Sequence, residues 1–188
     1  MSVFTNPGSA SKEHADAYIA AILDVLDGSD PLAVLQATPA SFARAIDGLS
    51  PADLGAPEKP GKWSVQQVLA HMADSEVVWS WRLRMVLAHD RPPLTGYDQD
   101  LWAERLGYED ADSRLSLRVF TTLRERNLEL LRRAQPEELR RVGVHEERGE
   151  ESLQHMMRLY AGHDLVHTRQ LERIRKAVSR GRSEGSSS

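Results

Sequence analysis

The sequence contains no cysteine, no apolar run near the roughly 20 residues that span a membrane, and no excess of basic residues. The lack of cysteine excludes disulfides, thiolate metal ligands and a cysteine nucleophile, and it is typical of a reducing compartment. The formal net charge of -4 argues against general affinity for the nucleic-acid backbone. The first residues also lack the basic and apolar regions of a signal peptide. We therefore expect a cytoplasmic protein without membrane or nucleic-acid partners.

What the sequence does contain is typical of one soluble domain. Its 188 residues are 40% hydrophobic and 28% charged, which is enough for a sizeable core. The polar ends predict a flexible N-terminus over residues 1–10 and a disordered C-terminal tail over residues 179–188. The helical domain is expected between them, over residues 11–178.

Apolar residues recur three or four positions apart in four long stretches, which indicates four amphipathic helices. The second of them has the clearest start, since Ser64 and Gln67 form a capping box. No stretch has the alternation of a strand. The sequence therefore predicts an all-α four-helix bundle with long connecting loops. The predicted long helices run from Ser11 to before Gly28, from Ser64 to about His89, over Ser113–Arg133 and from Ser152 to about Val178, with shorter helices at 31–36, 39–46 and 100–106.

Two histidines of the last helix, His163 and His167, stand where its apolar stripe should continue. A spacing of four residues advances roughly 6 Å and turns about 40°, so both imidazoles point the same way. Buried imidazoles need partners, because an unsatisfied buried polar group costs about 1–3 kcal/mol. A divalent metal would satisfy both rings, and so would carbonyls or carboxylates in a metal-free histidine core.

His71 is the best candidate for a third ligand. It lies about two turns into the second long helix, close to its apolar face, and bundles commonly build metal sites from facing helices. Three histidines with one position left for water are typical of a catalytic zinc site. Taken alone, His71 also fits a half-buried histidine with no ligand role.

Three segments carry a resemblance to a known family: GKWSVQQVLAHMADSE, RPPLTGYDQDLWAERLGY and VHEERGEESLQHMMRLYAGHDLVHTRQLERIR. Together they resemble the DinB-like family of four-helix-bundle metalloproteins over roughly residues 15–176. The resemblance implies His71, His163 and His167 as metal ligands. It also implies a metal-dependent hydrolase or a transferase that uses a bacillithiol- or mycothiol-type thiol, and a homodimer. A non-enzymatic stress or interaction protein with a structural metal remains the alternative.

Three neutral imidazoles would leave the full charge of a divalent metal available. A bound water would then have its pKa lowered toward ~7, or an external thiol would bind as thiolate. Zinc and nickel suit imidazole ligands best, while iron, manganese and cobalt stay open. We expect a small-molecule substrate, which in the second case includes a low-molecular-weight thiol.

Further polar residues are weaker candidates. Asp74 and Glu76 follow His71 and could take a proton, although salt bridges to Arg82 or Arg84 would explain both. His145, in the loop before the last helix, could reach the open side of the metal or be exposed.

Other predictions concern the surroundings of the metal. Gln170 lies one turn past His167 and could orient it, and Tyr97, Asp98 and Trp102 are expected around the pocket. The arginines from Arg124 onward alternate with glutamates and predict a solvated face.

Overall fold

The computed structural model describes residues 12–185 and consists mainly of helices. The predictions for residues 1–10 and 186–188 lie outside the described residues. Within residues 12–185, no helix has the length and apolar character needed to cross a membrane. The helices are α1 Lys12–Leu26, α2 Pro31–Ile46, α3 Pro51–Gly55, α4 Val65–Ala88, α5 Gln99–Arg105, α6 Ser113–Arg133, α7 Pro136–Leu139 and α8 Leu153–Gly185; the strands are β1 Pro93–Leu94, β2 Val142–His145 and β3 Gly149–Ser152.

Helices α2, α4, α6 and α8 form a four-helix bundle, which confirms the predicted fold class. Each of the four packs against two others, in the ring order α2, α6, α4, α8, and α1 lies against α8 outside the ring. Two apolar clusters fill the bundle, one around Trp79 and Leu83 and the other around Phe42 and Phe120. Between them lies a layer of polar side chains; the sequence pattern indicated His163 and His167 in it but not the buried Arg124.

Helix α2 is continuous, although the sequence predicted a break before Pro39. Proline has no N–H to donate to the carbonyl four residues earlier, which is Leu35. That carbonyl instead accepts a hydrogen bond from Arg124 Nη1 of α6, at 3.0 Å. The side chain of a neighbouring helix therefore satisfies the carbonyl that proline leaves free, and the helix continues.

The prediction of no strands was wrong for the segment before α8. Strands β2 and β3 form an antiparallel hairpin in which Val142 faces Ser152 and His145 faces Gly149, and β1 pairs with β2 in parallel. The hairpin residues are mostly polar, so no apolar run marked them. Gly143 leaves room for Leu94 here, because a Cβ at this position would lie 2.6 Å from Leu94 Cδ1 and would displace that side chain. The sheet covers one end of the bundle and brings His145 over it.

Helix α8 also differs from its predicted extent. It runs to Gly185 rather than to about Val178, and so enters the segment expected to be disordered. Between Val178 and the last residue of α8 there is one glycine, Gly181, and one glycine costs a helix only about 1 kcal/mol.

Candidate metal centre

The side chains of His71, His163 and His167 meet in the polar layer between the two apolar clusters. His163 Nε2 lies 3.2 Å from His71 Nε2 and 3.1 Å from His167 Nε2. Tetrahedral coordination at Zn–N distances near 2.05 Å places ligand nitrogens about 3.3 Å apart. Two of the nitrogen–nitrogen distances therefore match this spacing, and the three ligand atoms all lie within 4.8 Å of one another, as a group that holds one cation would.

The geometry at the three rings is difficult to explain without a cation. His167 Nδ1 lies 2.8 Å from Gln170 Oε1 and donates to it, so His167 Nε2 carries a lone pair and no hydrogen. The Nε2 of His163 faces two nitrogens, but it has either one hydrogen or one lone pair in the ring plane. At most one of the two short contacts can then be a good hydrogen bond. A divalent cation would accept all three lone pairs.

Burial keeps the three rings in the neutral form that metal binding requires. Desolvation lowers the pKa of His163 to about 4, and the charge of Arg124 lowers it as well. Desolvation lowers the pKa of His167 to about 3, and the neighbouring His163 lowers it as well. Desolvation also lowers the pKa of His71 well below its ordinary value. No proton must therefore be displaced at neutral pH before a cation binds.

The sequence around each ring explains its position. The capping box of Ser64 and Gln67 starts α4 at the predicted place, two turns before His71. On α8, Gly162 allows α1 to approach closely, because a Cβ at this position would lie 2.4 Å from the backbone oxygen of Ile22. Gln170 fixes the ring of His167, as its position one turn later predicted.

Glu76 lies in the polar layer but is fully engaged by other residues. Its carboxylate accepts from Arg124 Nε at 3.0 Å, from Arg124 Nη2 at 2.8 Å and from Asn127 Nδ2 at 2.7 Å. Arg124 also pairs with Asp164, which directly follows His163. The prediction that Arg124 lies on a solvated face was wrong: its side chain is 1% exposed and holds α4, α6 and α8 together.

Asp74 is bound at the edge of the site rather than beside the three rings. Its Oδ2 accepts from Tyr108 Oη at 2.8 Å. Tyr108 contacts Trp63 edge-on, and the Trp63 ring lies 5.3 Å from that of His71. Desolvation raises the pKa of Asp74, and the Tyr108 hydrogen bond opposes this rise. Asp74 thus connects the turn after α5 to the helix that carries His71.

A cavity of about 70 Å³ opens beside the half-buried ring of His163. Ser75 Oγ lies on its wall, 3.4 Å from His71 Nε2 and 2.8 Å from Tyr97 Oη. The Tyr97 ring in turn packs on Trp102, at 4.4 Å between centroids. Tyr97 therefore lines the cavity as predicted, while Asp98 caps α5. The wall comprises Tyr18, Ser75, Arg82, Gly96, Tyr97, Gln99, His145, Arg148, Leu159, Tyr160 and His163.

His145 lines the far side of this cavity and is not exposed. Its Nε2 lies 3.1 Å from Arg82 Nη2 and its Nδ1 lies 3.2 Å from the backbone nitrogen of Glu147. Both neighbours only donate and a neutral imidazole has one acceptor, so one of the two contacts is a hydrogen bond and the other is a close approach. Desolvation lowers the pKa of His145 to about 3, and the charges of Arg148 and Arg82 lower it further. His145 therefore contacts a guanidinium rather than the three clustered histidines.

Comparison with known proteins shows which family the chain belongs to. Residues 35–171 match the sequence profile of the DinB superfamily. The chain belongs to this superfamily. A relative from Bacillus mycoides (strain KBAB4), named "Putative metal-dependent hydrolase", is 29% identical over 94% of each chain. A second protein of that name, from Bacillus cereus (strain 03BB102), is 31% identical over 75% of this chain and 81% of its own length.

One solved structure supports the fold as well. YfiT from Bacillus subtilis, described as a probable metal-dependent hydrolase with an unusual four-helix bundle topology, has a TM-score of 0.67 to this DinB-superfamily chain. The two are 27% identical, and the match covers 90% of this chain and 91% of YfiT.

Sequence reasoning missed the buried arginines near the site. Arg124 and Arg82 are 1% and 5% exposed, although Arg124 belongs to a helix whose other arginines are exposed and Arg82 follows the exposed Trp81. One signal could have marked Arg124: it follows Phe120 by four residues on the apolar face of α6, and its guanidinium carbon lies 4.6 Å from the centre of that ring.

Proposed function

We propose that this chain is a metal-dependent hydrolase whose divalent cation is held by the Nε2 atoms of His71, His163 and His167. The observation that carries the proposal is the convergence of three neutral imidazole nitrogens beside a cavity. The names of the relatives from Bacillus mycoides and Bacillus cereus support it. Zinc and nickel fit three imidazoles best, with iron, manganese and cobalt as alternatives.

The residues around the cluster have separate roles in this proposal. A bound cation would supply Lewis acidity and lower the pKa of a coordinated water toward ~7. Gln170 keeps the Nε2 lone pair of His167 directed at the site. The Ser75 and Tyr97 hydroxyls lie between the cluster and the cavity, where they can hold a water or a polar group of a small-molecule substrate.

The open side of the cluster favours a catalytic over a purely structural metal. A closed structural site needs a fourth protein ligand, and among residues 12–185 the cluster includes no further histidine or carboxylate. The same opening favours a second candidate, a transferase that uses an external low-molecular-weight thiol. The chain has no cysteine to supply that thiol itself.

Of the three side chains predicted to assist catalysis, His145 lies where it can meet a substrate, whereas Glu76 and Asp74 are bound by other residues. His145 lines the cavity, and we propose that it contacts substrate there. Glu76 and Asp74 are held by Arg124 and Tyr108, and we propose that they position helices rather than transfer protons. A cytoplasmic location and a homodimer remain predictions, and light scattering of the purified protein would test the latter.

The experiment that tests the function loads the protein with zinc or nickel and supplies carboxylic and phosphoric ester substrates, with and without a low-molecular-weight thiol. A hydrolase turns over substrate without thiol, and a transferase requires the thiol and consumes it. His163→Ala should abolish either activity. His155→Ala, which changes a histidine of the same helix outside the cluster, should leave the activity unchanged. Turnover that is unchanged in His163→Ala would reject the proposal.

A further inference from the structure

Arg82 of α4 is a buried guanidinium on the wall of the cavity, and its hydrogen-bond partners are all neutral. Its Nη2 contacts Thr95 O at 2.5 Å and His145 Nε2 at 3.1 Å, and its Nη1 lies 3.3 Å from Tyr160 Oη. Its Nε is buried without a hydrogen-bond partner. Among residues 12–185, no carboxylate forms an ion pair with it.

The other charged groups at this end of the cavity form no ion pair with Arg82, although Glu151 lies close enough for the Arg82 charge to lower its pKa. Arg148 also lines the cavity, but Glu151 holds it through two contacts of 2.6 and 2.9 Å. The carboxylate of Glu147 lies beside Gly96, and neither of its oxygens has a hydrogen-bond partner. Arg82 therefore leaves an unpaired positive charge on the wall of the cavity.

Such a charge indicates a missing anion. Buried charges in proteins are almost always paired, because removing an ion from water costs several kcal/mol. A guanidinium binds carboxylate and phosphoryl groups particularly well, and the Nε–H of Arg82 has no protein acceptor.

The position of Arg82 on α4 relates it to the metal centre. Arg82 follows His71 by eleven residues, or three turns, so both lie on the same face about 16 Å apart along the helix axis. Arg82 Nη1 also lies 3.3 Å from the hydroxyl of Tyr160, which is one turn before His163 on α8. The cavity reaches from His163 to Arg82 and therefore connects the two.

We propose that Arg82 binds an anionic group of the substrate, a carboxylate or phosphoryl group, several bonds from the position that reacts at the histidine cluster. The inference rests on the proposed function, and it restricts the substrates of the proposed hydrolase to small anionic molecules. Tyr160 and His145 contact the guanidinium from two sides and keep it at the cavity wall, where His145 can contact the same substrate.

The test is calorimetric titration of metal-free and zinc-loaded protein with succinate, glutarate and adipate, each compared with its neutral diamide. One charge-assisted hydrogen-bond contact is worth roughly 10- to 100-fold in affinity. Wild type should prefer at least one dicarboxylate over its diamide by that factor, with or without zinc. Equal affinity for all three pairs would overturn the proposal without any variant being made.

Variants then identify the residue. Arg82→Gln should abolish the preference, Arg82→Lys should retain part of it, and Arg118→Gln, the same charge change on the exposed face of α6, should retain all of it. Glu147→Gln should leave anion binding unchanged or tighter, and a loss would contradict the proposal. If Arg82→Gln does not fold, the titrations of wild type and Arg82→Lys still test the proposal, because the preference for the dicarboxylate should be weaker in Arg82→Lys than in wild type.

The zinc-loaded arm separates the two proposals. A dicarboxylate preference that requires zinc and persists in Arg82→Gln would place the anion on the metal and refute the Arg82 site. If wild-type protein fails to bind zinc but still prefers the dicarboxylate, the Arg82 site stands and the proposed function is rejected.

Discussion

Replacing Arg124 by methionine is expected to destabilise the protein more than any other single change near the site. Arg124 is the counter-ion of two buried carboxylates, Glu76 and Asp164, whose side chains are 1% and 0% exposed. Burial alone would lower the pKa of Arg124, but Asp164 and Glu76 raise it above its ordinary value, so the guanidinium is charged at any accessible pH.

The magnitude follows from what the substitution leaves behind. Removing one partner from a buried ion pair costs about 3–5 kcal/mol, because the remaining charge is uncompensated. Arg124→Met also leaves the Leu35 carbonyl without a donor, since Pro39 cannot replace it, which adds about 1–3 kcal/mol. Domains of this kind are stable by only about 5–15 kcal/mol in total. The variant should therefore be at the limit of folding.

Urea denaturation of metal-free protein, followed by circular dichroism, measures this loss. The variant Arg124→Met/Glu76→Gln/Asp164→Asn has no uncompensated charge and should recover a large share of the stability. Exposed Arg118→Met is the control for loss of an arginine on the same helix. A loss below about 1 kcal/mol for Arg124→Met, or no recovery in the triple variant, would refute the reasoning.

Three further predictions concern the metal centre. Gln170→Leu should weaken zinc affinity roughly 10- to 100-fold by freeing the ring of His167, as measured by competition with a chelating dye, whereas Gln154→Leu on the exposed face of α8 should not. Gly162→Ala should cost about 1–3 kcal/mol in chemical denaturation by pushing α1 from α8, while alanine in place of the unobstructed Gly55 should be neutral. The free energy of unfolding of metal-free protein should decrease as the pH falls from the ordinary histidine pKa of 6.5 to about 4. In this range His163 and His167 bind protons in the unfolded chain but stay neutral in the folded protein. An unfolding free energy that does not change over this pH range would contradict the prediction.

The sequence predicted the parts of the fold that local chemistry determines. The Ser64 capping box, the bounds of α6 and the shared face of His163 and His167 depend on residues close to one another in the chain, and all appear as expected. The bundle class followed from the same periodicity.

What the sequence did not predict depends on contacts between distant residues. Helix α2 continues through Pro39 because of Arg124, 85 positions away by the numbering. Charge alternation on α6 suggested a solvated face, yet Arg124 turns inward because two carboxylates from other helices meet it there. The hairpin over residues 142–152 forms in a polar segment because β1 and the end of the bundle provide its partners. The anion-binding role proposed for Arg82 rests on a cavity that no local pattern marks.

The most direct test of the central claim is the metal content of protein purified without a histidine tag. Mass spectrometry of the acid-digested protein should find about one divalent ion per chain in wild type and in His155→Ala, and almost none in His163→Ala or His71→Ala. Full occupancy in either cluster variant would mean that the metal, if any, is bound elsewhere, and the three-histidine centre would be refuted.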